Sequence, residues 1–272
     1  MPHPPFHDGR SCLNPAGRIL SREMKFSCIF ARIAVGLSLL WLSGAIQAAA
    51  PAQARSPSRW ERDIQAFERQ DQIQPPPPHA VLFLGSSSIR LWTNLAQDFP
   101  KISVINRGFG GSYISDSVHY FHRIVLPYRP RLIVFYAGTN DINDGKSPEQ
   151  VLVDFQELVA LMKAHLPQAR LAFIAMAPNP ARWAKIDQFR AANRLIRNYT
   201  RRDNRLVYVD VHSAMLDRRG KPLADIFVKD QLHMNGKGYE IWRQVVGRQL
   251  NLFEDPRNTP RLKGAQVLSL GF

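Results

Sequence analysis

Four short polar stretches, each beside an apolar run, hold side chains suited to nucleophilic and acid–base chemistry. Gly85-Ser86-Ser87-Ser88 places hydroxyls and backbone N–H groups at a strand-to-helix turn, where developing negative charge is favoured. Asn106-Arg107-Gly108-Phe109-Gly110-Gly111-Ser112 is glycine-rich, so its backbone can approach a ligand and offer a bare N–H to an oxyanion or a phosphate. Gly138-Thr139-Asn140-Asp141 supplies an amide that can donate to an oxyanion, a role worth roughly 3 kcal/mol. Asp230-Gln231-Leu232-His233 sets a carboxylate three residues before an imidazole, the spacing of an orienting acid and a general base. Each stretch has an ordinary alternative: an N-cap, a tight turn, a turn, a surface histidine. Taken together and in this order, they supply a nucleophile, two kinds of oxyanion donor and a base with its orienting acid, the parts acyl transfer requires.

Elements that could position these groups alternate along the chain. Apolar runs at Ala80–Leu84, Ile102–Ile105, Leu132–Tyr136, Leu171–Met176 and Leu206–Val209 read as strands buried on both faces of a parallel sheet. Helical patterns lie at Trp60–Gln72, Ser112–Ile124, Pro148–His165, Ile186–Arg201 and Gly236–Leu250. Ser147-Pro148-Glu149-Gln150 has the form of a capping box with proline at the first helical position. The alternation predicts a three-layer α/β/α sandwich, in which ligands gather beyond the carboxyl ends of the strands. All four polar stretches fall there.

The 272 residues carry 36 Lys+Arg against 22 Asp+Glu, a net charge of +14, with an ordinary apolar content of 45%. That composition excludes a disordered tail protein, a collagen-like repeat and a disulfide scaffold. A nucleotide site finds no support, because neither GxGxxG nor GxxxxGK[ST] occurs. His119-Tyr120-Phe121-His122 lacks the glutamate of HExxH, and GxSxG is absent. The N-terminal segment reads as an address. From Met24, a candidate true start, MKFSCIFARIAVGLSLLWLSGAIQAAAPAQA has the basic, apolar and small-residue regions of a secretory signal peptide. Its apolar run falls short of the ~20 residues of a spanning helix. The expected organisation is a leader at 1–54, a helix and proline-rich linker at 55–79, the main domain at 80–252 and a tail at 253–272. Both cysteines, Cys12 and Cys28, lie within the leader. Export to the periplasm or beyond is therefore expected. The leader holds five basic and two acidic groups, so the remaining body keeps +11. This positive balance suggests contact with an anionic envelope rather than with nucleic acid, for which no reading motif is present.

The four blocks GSSS (85–88), NRGFGGS (106–112), GTND (138–141) and DQLH (230–233) resemble those of the SGNH hydrolases, also called the GDSL esterase/lipase family. The resemblance spans about residues 80–250. It implies a flavodoxin-like five-stranded sheet of order 2-1-3-4-5. It further implies Ser87 as nucleophile, His233 as base and Asp230 as orienting acid. The oxyanion donors would be the Ser87 N–H, the Gly111 N–H and the Asn140 side chain. Ser86 and Ser88 stand where the family's Gly-Asp-Ser-Leu has aspartate and leucine. The GSSSIRLW form looks most like the branch holding platelet-activating-factor acetylhydrolase-like and lysophospholipase-like proteins. No metal or organic cofactor, and no obligate protein partner, is implied. The expected substrate is a small-molecule, glycan or lipid ester. The absence of a long apolar insertion favours small acyl groups such as acetyl, with a lysophospholipase or thioesterase as the alternative and a non-catalytic envelope-binding protein as the rival class. Ala177–Trp183 (APNPARW) is the expected rim loop. Trp92 and Trp183 could stack on a sugar, but large aromatics more commonly pack.

Overall fold

In the computed structural model, which describes residues 56–254, five parallel strands form one sheet of order β2-β1-β3-β4-β5. They are β1 (Val81–Gly85), β2 (Val104–Gly108), β3 (Leu132–Tyr136), β4 (Arg170–Ile174) and β5 (Leu206–Val209). This is the flavodoxin-like order implied by the four blocks. The leader, Met24, both cysteines and the tail beyond Glu254 lie outside the described residues.

Among the described residues ten α-helices accompany the strands: α1 (Glu61–Ile73), α2 (Ser87–Arg90), α3 (Leu95–Asp98), α4 (Ile114–His119), α5 (Phe121–Ile124), α6 (Thr139–Asn143), α7 (Pro148–His165), α8 (Ile186–Thr200), α9 (Val211–Ala214) and α10 (Gly236–Glu254). Successive strand residues point to opposite faces, which is why unbroken apolar runs build two cores. Leu82, Leu84, Ile133, Phe135, Leu171 and Phe173 enter one core with Phe155 and Leu158 of α7 and Phe189 of α8. Val81, Phe83, Val134, Ala172 and Ile174 enter the other with Trp92, Phe99, Trp242 and Val246.

Helix α1 belongs to the first of these layers. Its Ile64 is fully buried there. Arg123 of α5 pairs with Glu61 at 2.8 Å and Glu68 at 2.6 Å. Arg107 binds Asp71, which also accepts the Tyr128 hydroxyl at 2.6 Å. The Ser147 capping box forms as its sequence predicts, with both reciprocal bonds to Gln150 in place.

Several boundaries differ from expectation, and α10 runs on to Glu254 rather than ending at Leu250. Strand β2 runs two residues later at its start and takes in Asn106-Arg107-Gly108, whose polarity suggested a loop. These residues tolerate an edge strand because the Asn106 amide donates to Ile89 O at 2.8 Å and Arg107 finds Asp71 and Tyr128. Strand β4 ends at Ile174 rather than Met176. The helix expected over Ser112–Ile124 breaks at Tyr120, whose ψ of 6° leaves the helical region, so α4 and α5 are separate turns.

One glycine governs the turn between β1 and α2. Gly85 has φ +141°, and a Cβ there would lie 1.9 Å from the Tyr136 carbonyl oxygen on β3. Gly85→Ala combines left-handed strain with overpacking, together about 3 kcal/mol. The expected result is a fall in Tm of roughly 10 °C for a domain of this size, read by thermal unfolding. A wild-type Tm would show that this turn does not need glycine.

Candidate active site

Strand β1 delivers its polar turn at the carboxyl edge of the sheet. Ser86 is extended and 1% exposed, and its N–H donates to Tyr136 O at 2.9 Å. Ser87 then opens α2, whose Ile89 is buried as its anchor. Across the edge, the loop before α10 carries Asp230 and His233. His233 Nε2 lies 2.9 Å from Ser87 Oγ, and His233 Nδ1 lies 2.6 Å from Asp230 Oδ2. The two sides of this contact are 146 residues apart in sequence. Of the three adjacent hydroxyls, Ser87's is the one placed against the imidazole.

The loop that holds the base is fixed by its own backbone. Asp230 Oδ1 accepts the N–H groups of Leu232 and His233, each at 2.9 Å. Gln231, the residue after Asp230, sits at φ +56°, a conformation that costs a non-glycine residue about 1 kcal/mol. Its backbone is bonded on both sides: its N–H donates to Val228 O at 3.0 Å, and its carbonyl accepts from Ala181 N at 3.0 Å. Desolvation pushes the Asp230 carboxyl up. The His233 N–H, the imidazole and the Leu232 N–H outweigh that and hold it at about 2. An ionised carboxylate only accepts, so Nδ1 carries the ring proton of a neutral His233. Nε2 is then the acceptor that faces the Ser87 hydroxyl.

The remaining expected donors lie on the next two loops. Gly138, at φ +109°, turns the chain from β3 into α6 and brings Asn140 to the same cleft as Ser87 and His233. Asn140 Nδ2 donates to Ser112 O at 3.0 Å, which leaves its second amide hydrogen for another acceptor. Gly111 directly precedes Ser112, so this bond ties the two loops together. Gly111 has φ +74°, and its carbonyl accepts from the Arg59 guanidinium at 2.8 Å. Arg59 in turn lies over the Trp60 ring at 4.0 Å. The N–H groups of Ser87 and Gly111 have no protein acceptor among the described residues.

A buried ion cluster braces these loops from behind. Asp141 follows Asn140, is fully buried, and receives Lys146 Nζ at 3.0 Å and Ile114 N at 3.3 Å. Burial pushes its carboxyl up to about 6 against the pull of Lys146. Lys146 also binds Asp154 at 2.5 Å. Burial would lower the ammonium, but the two carboxylates outweigh it and keep it charged.

The cleft is narrow. Beside Ser87 and His233 it is walled by Tyr136, Ala177, Met215, Phe227 and Met234. Its cavity volume is only about 20 Å³, little more than one water needs. The expected rim loop contributes directly: Pro178, Asn179 and Arg182 all line the cleft. Nothing in the sequence singles out Arg182, since one arginine in a loop resembles any solvated charge. Its membership of APNPARW was the available signal. Trp92 is 1% exposed and packed, its Nε1 donating to Asp98 at 2.6 Å. Trp183 is half-buried, packs against the first core, and has Lys221 Nζ 4.6 Å from its ring.

Residues 83–241 match the model of the GDSL-like lipase/acylhydrolase family. No curated protein sequence matches the chain. Among solved structures, a Streptococcus pneumonia protein provisionally described as a platelet activating factor is similar at a TM-score of 0.64. It is 16% identical, and the match covers 71% of this chain and 93% of that one. A GDSL-like lipase from Bacteroides thetaiotaomicron gives 0.59 at 21% identity, covering 70% and 97%. A carbohydrate esterase family 3 protein from Talaromyces cellulolyticus gives 0.52 at 18%, covering 64% and 96%. At these identities the structural likenesses establish the shared sandwich.

Proposed function

This chain belongs to the GDSL-like lipase/acylhydrolase family and is a carboxylic ester hydrolase; from that premise we propose that it removes small acyl groups, acetyl foremost, through Ser87, His233 and Asp230. The observation that carries the proposal is the unbroken contact from Asp230 through His233 to the Ser87 hydroxyl.

In the proposed reaction, His233 Nε2 takes the Ser87 proton as Oγ bonds to the ester carbonyl carbon. Asp230 stabilises the imidazolium that forms. The carbonyl oxygen becomes an oxyanion facing the Ser87 N–H, the Gly111 N–H and the free hydrogen of Asn140. As the tetrahedral carbon collapses, the bond to the alcohol breaks and His233 returns the proton to the alcohol oxygen. Water, deprotonated by His233, then attacks the acyl-enzyme, and the acid leaves as the bond to Ser87 Oγ breaks and His233 returns the proton to that oxygen.

The preference for short acyl groups rests on the narrow cleft. A methyl group fits beside Ser87, whereas a longer chain has to displace Met215 or Phe227. With p-nitrophenyl esters, kcat/KM for acetate is expected to exceed that for octanoate by about tenfold or more. Faster hydrolysis of the long chains would replace this reading with a lysophospholipase or thioesterase. Inactivity of the folded protein on every ester would favour an envelope-binding role. The leader-like residues 24–54 are the ground for placing the enzyme outside the cytoplasm, periplasmic or secreted. Its positive charge suits work beside an anionic envelope.

A further inference from the structure

Arg182 lines the cleft, and its guanidinium has no bonded partner among the described residues. The 3-10 turn that carries it, Pro180–Lys185, is capped by Asn179, whose side chain accepts the Arg182 N–H at 2.9 Å. Ala181 N bonds to Gln231 O, inside the loop of Asp230 and His233. The turn is therefore fixed relative to the base. Arg182 itself departs from helical geometry, at φ −120° and ψ 24°. Yet its guanidinium makes no hydrogen bond, ion pair or ring contact among the described residues, although Arg182 is a wall of the same cleft as Ser87 and His233. Burial depresses its pKa, but an arginine in a protein stays charged.

The carboxylate whose field reaches it most strongly, Asp144, is engaged by the Tyr113 hydroxyl at 2.5 Å and the Asn143 amide at 2.9 Å. Two like charges, Lys221 and Arg190, flank Trp183, the next residue, and Arg190 is itself paired with Asp187 at 3.4 Å. Partly desolvating an unpaired guanidinium is costly. Five donors in a planar fork suit the two oxygens of a carboxylate, or those of a phosphate.

We infer that Arg182 is a specificity residue that binds an oxyanion, carboxylate or phosphate, on the alcohol side of the ester. The inference rests on the hydrolase reading above, and it deepens that reading by naming the charge of the substrate. An acetyl group bears no charge, so the anion must belong to the alcohol. The substrate class is then an acylated acidic alcohol, such as an acetylated uronic acid or sugar phosphate, with the charge within reach of the ester.

The test compares acetate release from mono-O-acetyl glucose, mono-O-acetyl glucuronic acid and mono-O-acetyl glucose 6-phosphate, with p-nitrophenyl acetate alongside. The wild type is expected to favour an anionic sugar over the neutral one by about tenfold or more in kcat/KM. The faster of the two anionic sugars identifies which oxyanion is read. Arg182→Gln should bring the ratio close to one, chiefly through KM. Arg182→Lys should retain an intermediate ratio, because it keeps the charge and loses the fork. Added salt should raise KM for the anionic sugars alone. Hydrolysis of p-nitrophenyl acetate without an anionic preference, or a ratio unchanged in Arg182→Gln, overturns this inference and leaves the hydrolase standing. A folded wild type that hydrolyses none of the four esters overturns the hydrolase reading as well.

Discussion

Ser87→Ala is expected to lower kcat on p-nitrophenyl acetate by about a million-fold, while Ser86→Ala and Ser88→Ala each stay within about tenfold of wild type. Three consecutive hydroxyls make this a demanding test. Ser86 is 1% exposed and is held to β3 through its own N–H. Ser88 lines the cleft, but its side chain bonds to Tyr136 and its carbonyl accepts the Tyr239 hydroxyl at 3.0 Å. Only Ser87 Oγ lies within proton-transfer distance of His233. The side chain makes no bond that supports the fold other than the one to His233, so Ser87→Ala should retain the wild-type Tm. Activity in Ser87→Ala comparable to that of Ser86→Ala would move the nucleophile to another serine.

His233→Ala is expected to cost about as much, because nucleophile and base act as one unit and removing either removes both functions. Asp230→Asn should cost less than its counterpart in a buried triad, where the wrong ring tautomer lowers kcat about 10⁴-fold. Here the Asp230 side chain is 46% exposed, so water can partly take over its contact with Nδ1. The loop would also keep its shape, since an asparagine oxygen can still accept the Leu232 and His233 N–H groups. The checks are kcat values for both variants at saturating substrate. An Asp230→Asn loss equal to that of His233→Ala would show that solvent does not substitute for the carboxylate.

Much of this arrangement was legible in the sequence, for identifiable reasons. Strands buried on both faces have no polar positions, so Val81–Leu84 and Leu132–Tyr136 stand out as unbroken apolar runs. Gly85, Gly111 and Gly138 mark turns with positive φ. The capping box at Ser147 needs only local bonds and forms as expected. Features that depend on tertiary partners were not legible. Asn106 and Arg107 look like loop residues until Ile89 O, Asp71 and Tyr128 are in place. Helices α2, α3, α6 and α9 are four or five residues long, too short for any periodicity to register. The break at Tyr120 has no glycine or proline to announce it. Arg182 could be flagged only as part of a loop, because its lack of a partner is a property of the folded cleft.

In the proposed reaction everything depends on Ser87 becoming acylated with His233 as its base. A fluorophosphonate, which traps activated serine nucleophiles covalently, tests it most directly when the modified peptide is located by mass spectrometry. One phosphonyl group per molecule is expected, on Ser87, with none acquired by His233→Ala over the same interval. Modification at Ser86 or Ser88, or an active enzyme that stays unmodified, would contradict it.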